Sequence, residues 1–183
     1  MQNRAAALLD EVKQGLSKQG LSKQGAGVDH LFLREAQMRQ AQDMLFFAYR
    51  DFTGAADVIL GELGLGRAHH RVVHFVGRQP EISVGDLLAI LRITKQSLAR
   101  VLTTLVEQAY VAQAPGRVDR RQRLLSLTET GVALERRLFE RQRERLASAY
   151  REAGTGAVDG FRRVMRAIMD GGALEVLDAG EKP

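Results

Sequence analysis

Cysteine and tryptophan are absent from the 183 residues, and proline occurs three times. Without cysteine there can be no disulfide scaffold, thiolate zinc site, iron–sulfur cluster or thiol nucleophile. No apolar run approaches the length that spans a bilayer, and the first residues lack the apolar centre of a secretory signal. The common enzyme signatures are missing too: there is no GxSxG, HExxH or P-loop. Gly64-x-Gly66 and Gly154-x-Gly156 neither follow a strand nor complete a nucleotide loop, so both read as helix breakers. Together these absences predict a cytoplasmic protein, not an enzyme, with no membrane association, cofactor or metal.

What is present is a chain with 45% apolar residues, enough for a hydrophobic core, and a net charge of +5. That charge is unevenly placed. Residues 92–123 hold seven basic side chains, Arg92, Lys95, Arg100, Arg117, Arg120, Arg121 and Arg123, against Glu107 and Asp119. The remainder holds 20 of each sign and sums to zero. A neutral scaffold with one basic module is the footprint of a polyanion-binding surface.

Along the chain, the duplicated Gly-Leu-Ser-Lys-Gln at 15–24 and sparse apolar anchors predict a flexible tail over 1–28. Leu31, Met38, Leu45 and Phe52 recur at heptad spacing and predict a helix over 29–53, with Gly54, Gly61, Gly64 and Gly66 marking a break. A second helix is predicted over 67–76, stopping at Gly77. Ser83 and Thr94 are N-cap candidates for two short helices joined by Arg92 and Ile93. Leu98, Val101, Leu102, Leu105 and Val106 form the apolar stripe of the second of these. Two helices joined so tightly must cross steeply, as a helix-turn-helix does. Strands are predicted at 111–114 and 123–127 around an arginine-rich loop, then a long helix from Thr128 and a last helix carrying Val158, Phe161, Met165 and Ile168. The expected class is mainly α with a small β-hairpin.

The exposed face of the helix at 94–108 carries Gln96, Arg100, Thr103, Thr104 and Glu107. Gln and Arg suit bidentate contacts to adenine and guanine edges, and Thr and Ser suit phosphate, base edges or a thymine methyl. Its first turn, Thr94, Lys95, Gln96 and Ser97, has no acid. Lys95 there opposes the helix dipole by about 0.3–1 kcal/mol, a cost reversed if a phosphate binds the free amides. In the hairpin loop Asp119 can pair with Arg121 and shape the turn, leaving Arg117 and Arg120 for phosphate or a minor groove.

The stretch Leu87 through Leu102 resembles the DNA-reading core of MarR-type winged helix-turn-helix regulators. Asp119-Arg120-Arg121 followed by Leu125-Ser126-Leu127-Thr128-Glu129-Thr130-Gly131 is similar to that family's wing signature. The resemblance covers about residues 29–170. It implies an intertwined helical homodimer, a pseudo-palindromic double-stranded DNA operator and transcription regulation, often relieved by a small ligand. It implies DNA contacts from Thr94, Lys95, Gln96, Ser97 and Arg100, and a wing pair at Asp119 and Arg121. The implied division is a tail at 1–28, an N-terminal dimerisation helix and connector at 29–66, a winged DNA-binding lobe at 67–127, C-terminal dimerisation helices at 128–170 and a tail at 171–183. Ala109 departs from the glycine common there in relatives and would be strained if its φ is positive.

Phe46, Phe47, Tyr49, His70, His74 and Phe75 are candidates for a pocket taking a small aromatic ligand, weighed against ordinary core packing. His69, His70 and His74 cluster on one helix, but no acidic partner is close in sequence, so a pH-sensitive interface fits better than a metal site. The competing functions are a winged-helix protein-interaction module without DNA binding, and a histidine-based metal sensor or small enzyme.

Overall fold

The first helix, α1, spans Glu35–Glu62. It belongs to a computed structural model that describes residues 35–179. The expected tail at 1–28, the start of the first helix and residues 180–183 lie outside the described residues. The helix runs straight through Gly54 and Gly61, where the sequence predicted a break. A helical glycine costs only about 1 kcal/mol relative to alanine, and the burial of Ala56 and Leu60 in the core offsets it. The stop is Gly64, left-handed at φ +66°. The Leu65 amide bonds the Leu60 carbonyl at 2.8 Å and the Gly64 amide the Gly61 carbonyl at 3.2 Å, a Schellman closure.

Helix α2 (Arg67–Arg78) follows. It passes the predicted stop at Gly77 because that glycine is a packing site: a Cβ there would lie 3.0 Å from Leu127 and 3.3 Å from Glu135. Val72, Val73 and Val76 are its buried face. Arg67 forks onto Asp57 at 2.6 Å and ties α2 back to α1.

A two-residue strand, β1 (Ile82–Ser83), leads into α3 (Val84–Leu91) and then α4 (Lys95–Glu107). Both sequence-predicted caps form: the Asp86 amide donates to Ser83 Oγ at 3.0 Å and the Ser97 amide to Thr94 Oγ1 at 3.1 Å. Between the helices Arg92 turns the chain with φ +51°. Leu87 and Leu91 of α3 and Leu98, Val101, Leu102 and Leu105 of α4 meet the α2 valines in one core.

Strands β2 (Val111–Pro115) and β3 (Arg123–Leu127) form the predicted hairpin, with Val111 opposite Leu127 and Pro115 opposite Arg123. The sheet gains an unpredicted third strand, since β1 pairs antiparallel with the other edge of β3, Ile82 opposite Leu125. Two residues are too few to show a period in sequence. Pro115 sits on the edge strand, where its missing N–H costs no ladder bond.

Thr128 caps α5 (Glu129–Ala153), accepting from the Gly131 amide at 3.0 Å. Leu134 and Leu138 anchor α5 in the core. Gln142 reaches the Phe52 carbonyl at 3.5 Å. Gly154, at φ +80°, separates α5 from α6 (Thr155–Ile168), whereas Gly156 lies within α6. The C-terminal tail expected over 171–183 is corrected: Gly171–Ala179 is a helix, α7. Asp170 caps it, accepting from the Ala173 amide at 3.1 Å, and Leu174, Val176 and Leu177 are half-buried.

Candidate nucleic-acid interface

Helix α4 sorts its residues cleanly. The buried stripe of Leu98, Val101, Leu102 and Leu105 fixes the rotation of the helix. Thr94, Lys95, Gln96, Ser97, Arg100 and Thr103 therefore face solvent, and Thr104 is half-buried at the margin. Thr94 Oγ1 donates to Ser97 Oγ at 2.9 Å, so the cap side chains are already set. The Thr103 and Thr104 hydroxyls donate to the Ala99 and Arg100 carbonyls at 3.0 and 3.3 Å. Those two residues offer an approaching group a methyl and oxygen lone pairs, not a donor. The first turn holds no acid, so its amides and Lys95 form an uncompensated positive end.

The wing loop is held by its own backbone. The Gly116 amide bonds the Gln122 carbonyl and the Gln122 amide the Asp119 carbonyl, both at 3.0 Å. A Cβ on Gly116 would lie 2.5 Å from the Asp119 oxygen, which is why glycine stands there. Asp119 shapes the loop by a different contact from the sequence-predicted ion pair: its Oδ1 accepts the Arg121 backbone amide at 2.9 Å, closing an Asx-turn. The Arg121 guanidinium is thereby left outward. Arg117, expected to be free, approaches Glu81 at 3.4 Å. Both partners are well exposed, so that pair is worth about 0–1 kcal/mol and can be exchanged for a phosphate. Arg120, Arg121 and Arg123 are exposed.

A groove of about 770 Å³ joins the two elements, with Lys95, Ala99 and Thr103 on the helix side and Gln113, Arg121 and Arg123 on the wing side. Of the basic residues that sequence spacing grouped only by count, Lys95, Arg121 and Arg123 line this groove, together with Glu107.

The wing is locked to α4 through the turn that follows it. Ala109 adopts φ +56°, the strained geometry its sequence context raised. Its carbonyl accepts both the Thr128 hydroxyl at 2.5 Å and the Thr130 hydroxyl at 2.7 Å. These threonines hold the turn in place from the start of α5.

The candidate pocket residues separate into two groups. Phe46, Phe47 and Tyr49 are exposed on α1, with Arg50 over the Phe47 ring at 5.0 Å. His70, His74 and Phe75 are half-buried on α2, where His74 meets Phe75 edge-on at 5.1 Å. His69 accepts the Gly66 amide on Nδ1 at 3.1 Å and so caps α2. Among the described residues no three His, Asp or Glu side chains gather in a metal-holding arrangement.

Burial pushes the His69, His70 and His74 imidazoles below the ordinary value of 6.5, with the neighbouring His74 charge adding to the effect on His70 and the Arg78 charge to that on His74. A depressed folded-state value means the unfolded chain binds protons more readily. The stabilisation is full above the unfolded value and is lost as the pH falls through the folded one. The thermal midpoint should therefore drop between about pH 7.5 and pH 5, and His70→Gln with His74→Gln should reduce that drop. A midpoint equally acid-sensitive in the double variant would contradict the assignment.

A sequence profile of the MarR family matches residues 63–122. The HTH-type transcriptional regulator PetP of Rhodobacter capsulatus is 51% identical over 140 residues, which is 76% of this chain and 84% of that one. Among solved structures, a mutant MarR from E. coli complexed with operator DNA is similar with TM-score 0.59 at 17% identity, over 73% of this chain and 96% of that one. NadR in complex with 4-hydroxyphenylacetate is similar with TM-score 0.55 at 18% identity, over 82% and 97%.

Proposed function

Because this chain belongs to the MarR family of HTH-type transcriptional regulators, we propose that it reads duplex DNA with α4 in the major groove and the wing on the flanking backbone. The observation that carries this reading is the exposure of Lys95 and Arg100 on the outward face of α4 and of the wing arginines, with Lys95, Arg121 and Arg123 lining one groove between helix and wing. Gln96 and Arg100 are the base-reading side chains. Thr94, Lys95 and Ser97 place the helix start on a phosphate, and Thr103 and Thr104 give apolar or acceptor contacts farther along. Arg117, Arg120 and Arg121 engage the backbone or minor groove, with Asp119 holding the loop that presents them.

The active species in this reading is a homodimer on a pseudo-palindromic operator. Phe46, Phe47 and Tyr49 on α1, and Phe161, Val164 and Ile168 on α6, leave apolar side chains exposed in one chain, as a subunit interface would. Two copies would set recognition helices about 34–36 Å apart, one helical turn of DNA. Phe46, Phe47 and Tyr49 on α1, and His70, His74 and Phe75 on α2, are the candidate contacts for a small aromatic ligand. The similarly folded NadR, solved in complex with 4-hydroxyphenylacetate, makes an aromatic acid the first probe.

The wing assignment is tested by salt. Arg120→Ala with Arg121→Ala should weaken binding to selected and random duplexes alike. It should flatten the slope of log affinity on log salt by about 0.9 for each phosphate no longer neutralised. An unchanged slope would remove those arginines from the interface. If the unaltered protein shows no salt-sensitive duplex binding at all, the interaction-module reading takes its place.

A further inference from the structure

Arg92 belongs to the basic module, yet it is not free in this structure. It sits in the turn between α3 and α4, two residues before the cap of the recognition helix, with φ +51° and its side chain pointing out. Its guanidinium Nη1 lies 2.6 Å from Asp170 Oδ2. The other oxygen of the same carboxylate accepts the Ala173 amide and starts α7. Asp170 thus has two tasks, capping the last helix and holding a cation of the DNA-reading lobe.

The rest of α7 reinforces the placement. Arg166 of α6 forks onto Asp178 at 2.9 and 3.3 Å, fixing the far end of α7. Leu174, Val176 and Leu177 are half-buried, and α7 packs on α3. From 170 to 179 the chain carries Asp170, Glu175 and Asp178 and no basic residue. The backbone amide of Ala173, and then Arg92, hold the Asp170 carboxyl below its usual range, so it is ionised at neutral pH. The carboxylate that starts this acidic helix therefore lies against the turn leading into the recognition helix, close to where the proposed function places DNA phosphates.

We propose that Arg92 is a further phosphate-binding residue of this regulator, and that the C-terminal helix α7 is its internal competitor, Asp170 holding in the DNA-free protein the guanidinium that a phosphate takes in the complex. A phosphate and a carboxylate offer the same bidentate acceptor geometry to arginine, so one can replace the other without rebuilding the turn. The Arg92 and Asp170 side chains are 68% and 51% exposed. Their attraction is therefore screened, and the competition is a modest brake rather than a lock. Release of α7 would free Arg92 and carry the Asp170 carboxylate away from the turn that leads into α4.

The inference rests on the DNA-binding reading, and the experiment separates the two. The full chain, Asp170→Asn, Arg92→Gln and the double variant would be titrated against a labelled random-sequence duplex of about 30 base pairs, long enough for two half-sites one turn apart, over a range of salt. Asparagine caps a helix as well as aspartate does, so Asp170→Asn removes the charge and keeps α7. The single Asp170→Asn variant should bind about two- to fivefold more tightly, with a salt slope steeper by about one per protomer. Both gains should vanish in the double variant. An Asp170→Asn protein with unchanged or weaker affinity, or a gain that survives without Arg92, overturns the proposal. Salt-insensitive behaviour of the unaltered chain would instead overturn the DNA reading on which it stands.

Discussion

Gly131→Ala should destabilise the protein by about 3 kcal/mol or more, the largest effect expected of any one-methyl change. Gly131 is buried in the first turn of α5. An ideal Cβ on it would lie 2.0 Å from the Tyr110 carbonyl oxygen and 3.0 Å from its carbon. The obstacle is backbone, not the end of a mobile side chain. That carbonyl accepts the Thr128 amide at 3.1 Å, while Ala109 accepts the Thr128 and Thr130 hydroxyls. Room for a methyl group appears only if α5 lifts from the turn and these bonds open. Native stabilities are about 5–15 kcal/mol, so the loss is a large fraction of the total. Gly61→Ala is the control, because a Cβ there meets nothing within 4 Å in a helical segment. That change should stabilise by about 0.4–1 kcal/mol. Denaturant unfolding at one fixed protein concentration reads both. Equal effects of the two substitutions would refute the close approach at Gly131.

Arg100→Ala should cost about 10- to 100-fold in affinity for a selected operator, because a bidentate contact to a guanine edge discriminates by about 1–3 kcal/mol. Arg100 is exposed on the outer face of α4, away from the buried stripe that anchors the helix. Its carbonyl accepts the Thr104 hydroxyl, a bond the substitution keeps. Folding should therefore be unaffected, in contrast with Gly131→Ala. Binding to random duplex should fall far less, since only one charge leaves the general field. The sequence preference at the contacted base pair should relax accordingly.

The parts of this fold that depend on neighbours in sequence were legible without coordinates. Ser83, Thr94 and Thr128 cap the helices they precede because a cap is a contact over three residues. The α4 stripe was legible because its period is strong and its partners share one core. The misreadings come from contacts distant in the chain. Gly54 and Gly77 look like breakers, but α1 is held by core burial at Ala56 and Leu60, and Gly77 makes room for Leu127 and Glu135. Strand β1 exists only because β3 has a free edge. Helix α7 was missed although its Asp170 cap is local, because the ion pairs that hold it reach Arg92 and Arg166, far from any local pattern. In the candidate site, composition picked out the cations but not their partners. Asp119 uses a backbone amide where a side-chain pair was expected, Arg117 meets Glu81, and Arg92 meets Asp170.

Base reading by the outer face of α4 is what sets a sequence-specific regulator apart from a general polyanion binder. The most direct test selects operator sequences from random duplexes with the unaltered protein, then compares it with Arg100→Ala on the selected site and on a random duplex at one salt concentration. The ratio of the two affinities should collapse in the variant, with most of the loss on the selected site. Equal affinity of both proteins for the selected operator would contradict base reading by this face.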